Sequence, residues 1–139
     1  MSRVTKIGQN LQGPAGRVDP RMSRALIKMA GVMKKDYLRF WKAADSVAAK
    51  GTLSPYAQEQ LDNFMESIEF SGGSKYIKVI RNDNQRTVWG FIVNTENDSK
   101  FKYGDILKPA GWAAPARNKA RGNVFEDLSW VQWTGPAYL

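Results

Sequence analysis

The chain has 139 residues, a formal net charge of +8 at pH 7 and a pI near 9.8. It contains neither cysteine nor histidine, which excludes disulfides and removes the commonest general base and metal ligand. Apolar residues make up 42% of the sequence, enough for a folded core. The excess of positive charge favours nucleic acid, an anionic surface or an acidic protein as the partner.

Residues 1–18 are predicted to form a flexible basic arm. Three glycines and one proline interrupt the segment, and Arg3, Lys6 and Arg17 give it positive charge. The glycines do not form a phosphate-binding loop, because no Gly-Lys-Ser/Thr follows them. Basic arms often follow phosphate backbones, but an ordinary basic terminus has the same composition.

A long amphipathic helix is predicted from Asp19 to Gly51. Asp19 suits the N-cap, Pro20 the first helical position and Gly51 the C-terminal end. Apolar residues spaced three and four apart form one stripe along it: Met22, Leu26, Met29, Met33, Tyr37, Phe40, Ala44 and Val47. The stripe can pack on a core, or it can join two copies of the chain as an oligomer seam.

The opposite side of this helix carries a row of cations with similar spacing. This cationic row consists of Arg21, Arg24, Lys28, Lys35, Arg39 and Lys42. Almost no carboxylate balances it, so we predict that the row contacts the phosphates of DNA or RNA. The alternative is the solvated face of an ordinary helix.

A second helix is predicted from Ser54 to about Phe70, with Ser54 as its cap and Pro55 at its first position. The short connection predicts an antiparallel helical hairpin over residues 19–71. Residues 54–71 have a net charge of −4, from a row of carboxylates: Glu59, Asp62, Glu66 and Glu69. If this acidic helix covers the cationic row, the row is less available to nucleic acid.

The small residues Ser71-Gly72-Gly73-Ser74 are predicted to separate the hairpin from a β domain over 74–139. Alternating patterns and turn residues predict four short strands, at Tyr76–Ile80, Thr87–Val93, Phe101–Lys108 and Trp130–Trp133. The predicted fold class is therefore α+β: an N-terminal antiparallel helical hairpin followed by a small bent antiparallel β-sheet or open barrel.

Between the last two predicted strands lies an irregular segment that combines one tryptophan with three cations. Trp112 could stack on a base while Arg117, Lys119 and Arg121 hold phosphates. The alternative is that Trp112 plugs the open end of the barrel and the cations are solvated.

Catalytic patterns are absent from the sequence. Glu126 and Asp127 are adjacent, so on a strand they would point to opposite faces and could not act as a pair. The oxygen-rich turns lack the spacing of a calcium loop. We therefore expect a non-enzymatic protein without metal or cofactor. We also expect no membrane-spanning segment, because no apolar run is long enough.

The segments GDILKPAGWAAPARNKARGNVF, at 104–125, and WTGPAYL, at 133–139, resemble small tailed-bacteriophage proteins of unknown function. The resemblance implies a viral origin and no catalytic residue. Because the N-terminus also lacks the apolar core of a signal peptide, we expect a cytoplasmic protein, in the cytoplasm of the host cell if it is viral.

Three functional hypotheses follow. The first is a phage-encoded nucleic-acid-binding protein that contacts phosphates through the cationic row. The second is a small viral effector whose basic face docks on an acidic host protein, with tryptophans as anchors. The third is a structural component of the virion that assembles through the stripe from Met22 to Val47.

Overall fold

Two helices and six strands make up the fold in the computed structural model, which describes residues 3–6, 18–44, 54–82, 85–132 and 134–135. The side chains of 3–6 and 41–44 are not among the parts described. The helices are α1 (Pro20–Ala44) and α2 (Pro55–Ser67). The strands are β1 (Arg3–Lys6), β2 (Ile68–Gly72), β3 (Tyr76–Asn82), β4 (Arg86–Val93), β5 (Asp105–Leu107) and β6 (Gly122–Asn123). The α+β class is confirmed.

Helix α1 begins where the sequence predicts. The Oδ1 atom of Asp19 accepts a hydrogen bond from the Met22 amide at 2.7 Å, which satisfies one of the free amides of the first turn. The apolar stripe is fully buried over its first half, at Met22, Leu26, Met29 and Met33. Burial of such a side chain stabilises a fold by about 1.5–3 kcal/mol. This half of the stripe therefore belongs to the core of the chain itself and does not form an oligomer seam.

The far end of the stripe has a different environment. Phe40 is 47% exposed, although its ring stacks at 6.4 Å from that of Tyr37, which is buried. The side chain of Ala44, residue Val47 and the predicted end at Gly51 lie outside the described parts of the chain.

Helix α2 is shorter than expected. Its start is confirmed, since the Ser54 Oγ atom accepts a hydrogen bond from the Ala57 amide at 3.2 Å. It ends at Ser67 rather than near Phe70, and the chain continues directly as strand β2. Ile68 fits both a helical and an alternating pattern, so the local sequence does not decide between them. Pairing with β3 over five residues decides in favour of a strand.

The six strands form one antiparallel sheet in the order β1-β2-β3-β4-β5-β6. It is an open sheet, with β1 and β6 as its edges. The predicted β3–β4 hairpin is confirmed. The predicted strand Phe101–Lys108 is shorter than expected, since β5 contains only three of its residues. The predicted strand Trp130–Trp133 is wrong over its described part: Trp130 lies in a turn, and Gln132 makes one isolated bridge to Gly135.

Strand β5 starts late because a tight turn precedes it. Gly104 has φ of 88°, in the left-handed region that favours glycine, and the Asp105 amide donates back to the Lys102 carbonyl at 3.0 Å. A methyl group at Gly104 would lie 2.6 Å from the ring of Phe125. The turn therefore needs glycine both for its backbone and for its close packing.

The small residues Ser71–Ser74 belong to the β2–β3 hairpin: the first two end β2, and the last two begin the turn to β3. Gly72 pairs with Ile77, and the Gly73 amide donates to the Tyr76 carbonyl at 3.0 Å. The core does not divide here either. One apolar cluster, the helix-side cluster, contains Met29 of α1, Phe64 of α2, Val79 of β3 and Val131 near the end of the chain.

The predicted basic arm is also partly regular structure. Arg3–Lys6 forms β1, whose residues pair in antiparallel register with β2, from Arg3 opposite Gly72 to Lys6 opposite Glu69. Residues 7–17 lie outside the described parts of the chain.

The second face of the sheet is covered by the parts of the long segment 94–121 that precede and follow β5. Its apolar cluster consists of Phe91, Val93, Phe101 and Leu107. An ion pair holds the covering segment together, because both oxygens of Asp98 accept hydrogen bonds from Arg117 at 2.9 Å. This bidentate bond to Arg117, aided by the amides of Lys100 and Phe101, lowers the pKa of Asp98 well below its usual range.

A fragment from Ser74 to Leu139 tests whether the core is shared. It lacks both helices and β1 and β2, so we expect it to lose most of the helix-side cluster and to remain unfolded. Amide NMR should show narrow dispersion for the fragment and wide dispersion for the whole chain. A dispersed spectrum and a cooperative melt for the fragment would show that the region 74–139 is an independent domain.

The substitution Asp98→Asn tests the ion pair through pH. A carboxyl whose pKa is lower in the folded state stabilises the fold at pH values above its unfolded pKa of about 3.9. This stabilisation is lost as the pH falls from there through the folded pKa. Urea titrations should therefore show the wild type to be more stable than Asp98→Asn at pH 7, with the difference shrinking below about pH 4.

The control for this measurement is Asp62→Asn, which removes one charge from an exposed carboxylate on α2. It should produce little change at either pH. A constant difference between wild type and Asp98→Asn from pH 7 to pH 2 would contradict the role of the ion pair.

Candidate functional site

The cationic row lies on the outer side of α1, away from the sheet. The described side chains of the row are all exposed: Arg21, Arg24, Lys28, Lys35 and Arg39. Lys42 lies in α1, but its side chain is outside the described part. Lys34 is also exposed, and the predicted row missed it because it falls on the flank of the helix wheel. From Arg21 to Arg39 the row extends about 27 Å along the helix.

The start of the row borders the C-terminal part of the chain. The guanidinium carbon of Arg21 lies 4.0 Å from the centroid of the Phe125 ring. Lys28 lies close enough to Asp127 to help lower the pKa of that carboxyl, although hydrogen bonds from Ser129 contribute more. The contact with Phe125 positions Arg21 without burying it.

The rest of the row has little internal compensation. Arg39 donates to Asp36 at 3.0 Å, but the arginine side chain is 71% exposed, so the pair is weak. Within the described residues, the structure gives Arg24 and Lys35 no ion pair. Positive charge therefore dominates this side of α1.

The acidic helix does not neutralise the row. Glu59, Asp62 and Glu66 are exposed, and Asp62 accepts a hydrogen bond from Gln58 at 3.0 Å. Across the described parts of α1 and α2, no ion pair joins the two helices. The fourth carboxylate of the predicted row, Glu69, is instead buried in the sheet.

Glu69 has its own partners on strands β3 and β4. Its oxygens accept hydrogen bonds from Asn82 at 2.9 Å and from Arg86 at 3.3 Å. A buried carboxylate needs such partners, since an unpaired charge in the sheet would be strongly destabilising. Glu69 is therefore structural and plays no part in screening the cationic row.

Trp112 stands at the tip of a small closed loop. Pro109 and Pro115 form a bridge at the base of the loop, and the Ala110 amide donates to the Ala114 carbonyl at 3.0 Å. The tryptophan side chain is 46% exposed. A residue that plugs a barrel would be buried, and the sheet is open, so the plug interpretation does not describe this residue.

Two cations that sequence reasoning missed lie against Trp112. The Lys78 Nζ atom is 4.2 Å and the Arg86 guanidinium carbon 5.3 Å from the ring centroid. They lie on β3 and β4, far from the tryptophan in sequence. From the sequence, the alternation of side chains along β3 predicts that Lys78 lies on the opposite face from Ile77 and Val79. Nothing in the neighbouring residues predicts which loop packs over that face.

An apolar groove opens beside the same ring. Its volume is about 330 Å³, and its lining consists of Thr87, Val88, Pro109, Ala110, Gly111 and Trp112. Lys78 approaches the Trp112 ring that lines the groove, and burial and the charge of Arg86 lower the pKa of this lysine. The tryptophan, the groove and the two cations together form the Trp112 slot.

The three loop cations predicted to hold phosphates have different environments. Arg117 donates to both oxygens of Asp98 and to the hydroxyl of Tyr76, so its guanidinium is already engaged within the chain. Arg121 is half-buried, and its backbone amide donates to the Ile106 carbonyl at 2.8 Å. Lys119 is exposed. The structure therefore does not bring these three side chains together around Trp112.

The cationic row and the Trp112 slot lie on opposite sides of the sheet. Ile77 and Val79 of β3 belong to the helix-side cluster together with the apolar stripe of α1. Lys78, between them in the strand, points to the other face, where it approaches Phe91 and Trp112. The predicted set of binding residues is therefore divided between two surfaces.

A larger open groove, of about 700 Å³, lies near the start of α1 and is lined by residues of both charges, including Arg21, Glu96, Lys102 and Glu126. Beside it the hydroxyl of Tyr103 donates to Asp19 at 3.0 Å. Burial and this hydrogen bond raise the pKa of Tyr103 to about 12. The arrangement fastens the segment before β5 to the start of α1.

The described residues contain no group of three acidic, histidine or cysteine side chains that could hold a metal ion. Within the same parts of the chain, neither helix has an apolar stretch long enough to cross a bilayer.

Comparison with known proteins places the chain in a family. No curated protein and no solved structure matches it at a significant level. Residues 23–138 match a family of unknown function, DUF7717, and this region includes most of α1, all of α2 and the Trp112 slot. The chain belongs to this family.

Proposed function

We propose that this protein binds nucleic acid through the cationic row of α1 and acts by binding rather than catalysis. The observation that carries the proposal is the exposed, poorly compensated positive charge along about 27 Å of one helix. A straight row of this kind can follow a phosphate backbone, and each phosphate contact releases counterions. Binding of this type is strong at low salt and insensitive to base sequence.

The fold supports this role by keeping the row accessible. The apolar stripe holds α1 on the sheet, and the carboxylates of α2 form no described ion pair with α1. In this proposal the two helices form an antiparallel hairpin whose basic member meets the ligand. The resemblance to phage proteins adds the proposal that the ligand is met in an infected host cell.

Charge reversal on α1 tests the proposal. The triple variant Arg24→Glu, Lys28→Glu, Lys35→Glu changes exposed side chains that take no part in the core. For random-sequence duplex DNA, the plot of log K against log salt should be steep for the wild type. Its slope should fall by about 2–3 units in the variant, as expected for three lost phosphate contacts. Fluorescence anisotropy at several salt concentrations measures both slopes.

The matched control reverses three exposed lysines that are not part of α1, of which Lys102 lies nearest to the start of that helix: Lys75, Lys102 and Lys119. Both triple variants change the net charge equally, so an effect of net charge alone would weaken binding in both. Only the α1 variant should flatten the slope. Absence of duplex and RNA binding by the wild type at low salt would contradict the proposal and favour an acidic host protein as the partner.

A further inference from the structure

We propose that the Trp112 slot is a second binding site, which takes an unpaired nucleobase against the tryptophan and its phosphate beside Lys78 and Arg86. The class of ligand rests on the proposed function, but the surface and its residues are separate from the cationic row. The site is formed by segments distant in sequence: β3, β4 and the loop between Pro109 and Pro115.

The shape of the slot suits a flat ring. The closed loop holds Trp112 at its tip with nearly half of the side chain exposed. The groove of about 330 Å³ beside it is bordered by Val88 and Pro109, which offer apolar surface to the faces and edges of a base. Bases of any identity stack on a tryptophan, because every base has a π face.

The charges around the slot suit an anion. Lys78 and Arg86 both approach the Trp112 ring, at 4.2 and 5.3 Å. Burial lowers the pKa of Lys78, and the nearby positive charge of Arg86 lowers it further, so the proximity of the two cations is unfavourable. Glu69 compensates Arg86, at 3.3 Å, but the structure gives Lys78 no carboxylate partner among the described residues. An anion beside the two cations would relieve their repulsion.

The exposed tryptophan ring and the two adjacent cations together favour an unpaired nucleotide over a duplex. In a duplex each base is stacked between its neighbours and cannot reach a ring at the tip of a loop. In a single strand the base is free to stack, and its phosphate lies close enough to reach a neighbouring cation. The same chemistry is present in a free mononucleotide, so the two sources must be separated by experiment.

The test is binding of a labelled short oligothymidylate, measured by anisotropy. Trp112→Ala should weaken binding by about 5- to 150-fold, the effect of losing one stacked base. Trp112→Tyr should retain most of the affinity, because it keeps an aromatic ring. Lys78→Gln should weaken binding and reduce the salt slope by about 0.7, as for one phosphate contact on a single strand. Thermal melts should show that all three variants remain folded.

Competition separates the possible ligands. Displacement of the labelled strand by unlabelled oligothymidylate, but not by equal concentrations of thymidine monophosphate, identifies a strand as the ligand. Equal displacement by the monophosphate still supports the site and identifies a free nucleotide. Wild-type affinity for the strand in folded Trp112→Ala, or equal loss in Trp112→Ala and Trp112→Tyr, would overturn the proposal.

The α1 variant keeps the two proposals apart. With Arg24, Lys28 and Lys35 reversed, duplex binding should be weaker and its salt slope lower, while the effect of Trp112→Ala on the oligothymidylate should persist. Loss of the Trp112 effect in that background would show that the slot is not a separate site and would overturn this inference. Retention of the Trp112 effect with no duplex binding by the wild type would refute only the function proposed for the cationic row.

Discussion

The packing of the apolar stripe of α1 on one face of the sheet determines the rest of the arrangement. Met22, Leu26, Met29 and Met33 are completely or almost completely buried in the cluster that also contains Ile77 and Ile92. Because the stripe and the cationic row lie on opposite sides of one helix, burial of the stripe leaves the row on the solvent side. The hydrogen bond from Tyr103 to Asp19 and the contact of Arg21 with Phe125 then fix the start of the helix.

The second face of the sheet is organised by polar contacts as well as by apolar packing. The ion pair of Asp98 with Arg117 closes the covering segment, and Lys100 donates to the carbonyls of Arg117 and Asn118 at 2.7 and 2.9 Å. These bonds position the loop that carries Trp112 over β3 and β4. The sheet therefore separates two positively charged surfaces, an extended one formed by a helix and a compact one formed around an aromatic ring.

Local patterns predicted the features that depend on neighbouring residues. The start of α1 at Asp19, the start of α2 at Ser54 and the β3–β4 hairpin are examples. The strands that were missed depend on distant partners: β6 has only two residues, and β2 is a strand because β3 lies beside it. Likewise, the sequence predicts Arg117 to be a free cation, whereas in the fold it forms an ion pair with Asp98. The spacing of residues in the sequence does not predict such long-range contacts.

The position of β1 has a consequence for the order in which the sheet assembles. Strands β2, β3 and β4 are separated by only three residues each in the sequence, so their pairing closes small loops and costs little chain entropy. Both helices lie between β1 and β2 in the sequence. The pairing of these two strands is therefore the contact of greatest sequence separation in the sheet. The topology thus favours early formation of a three-stranded meander, followed by docking of the helices, with β1 added last along an edge that is already formed.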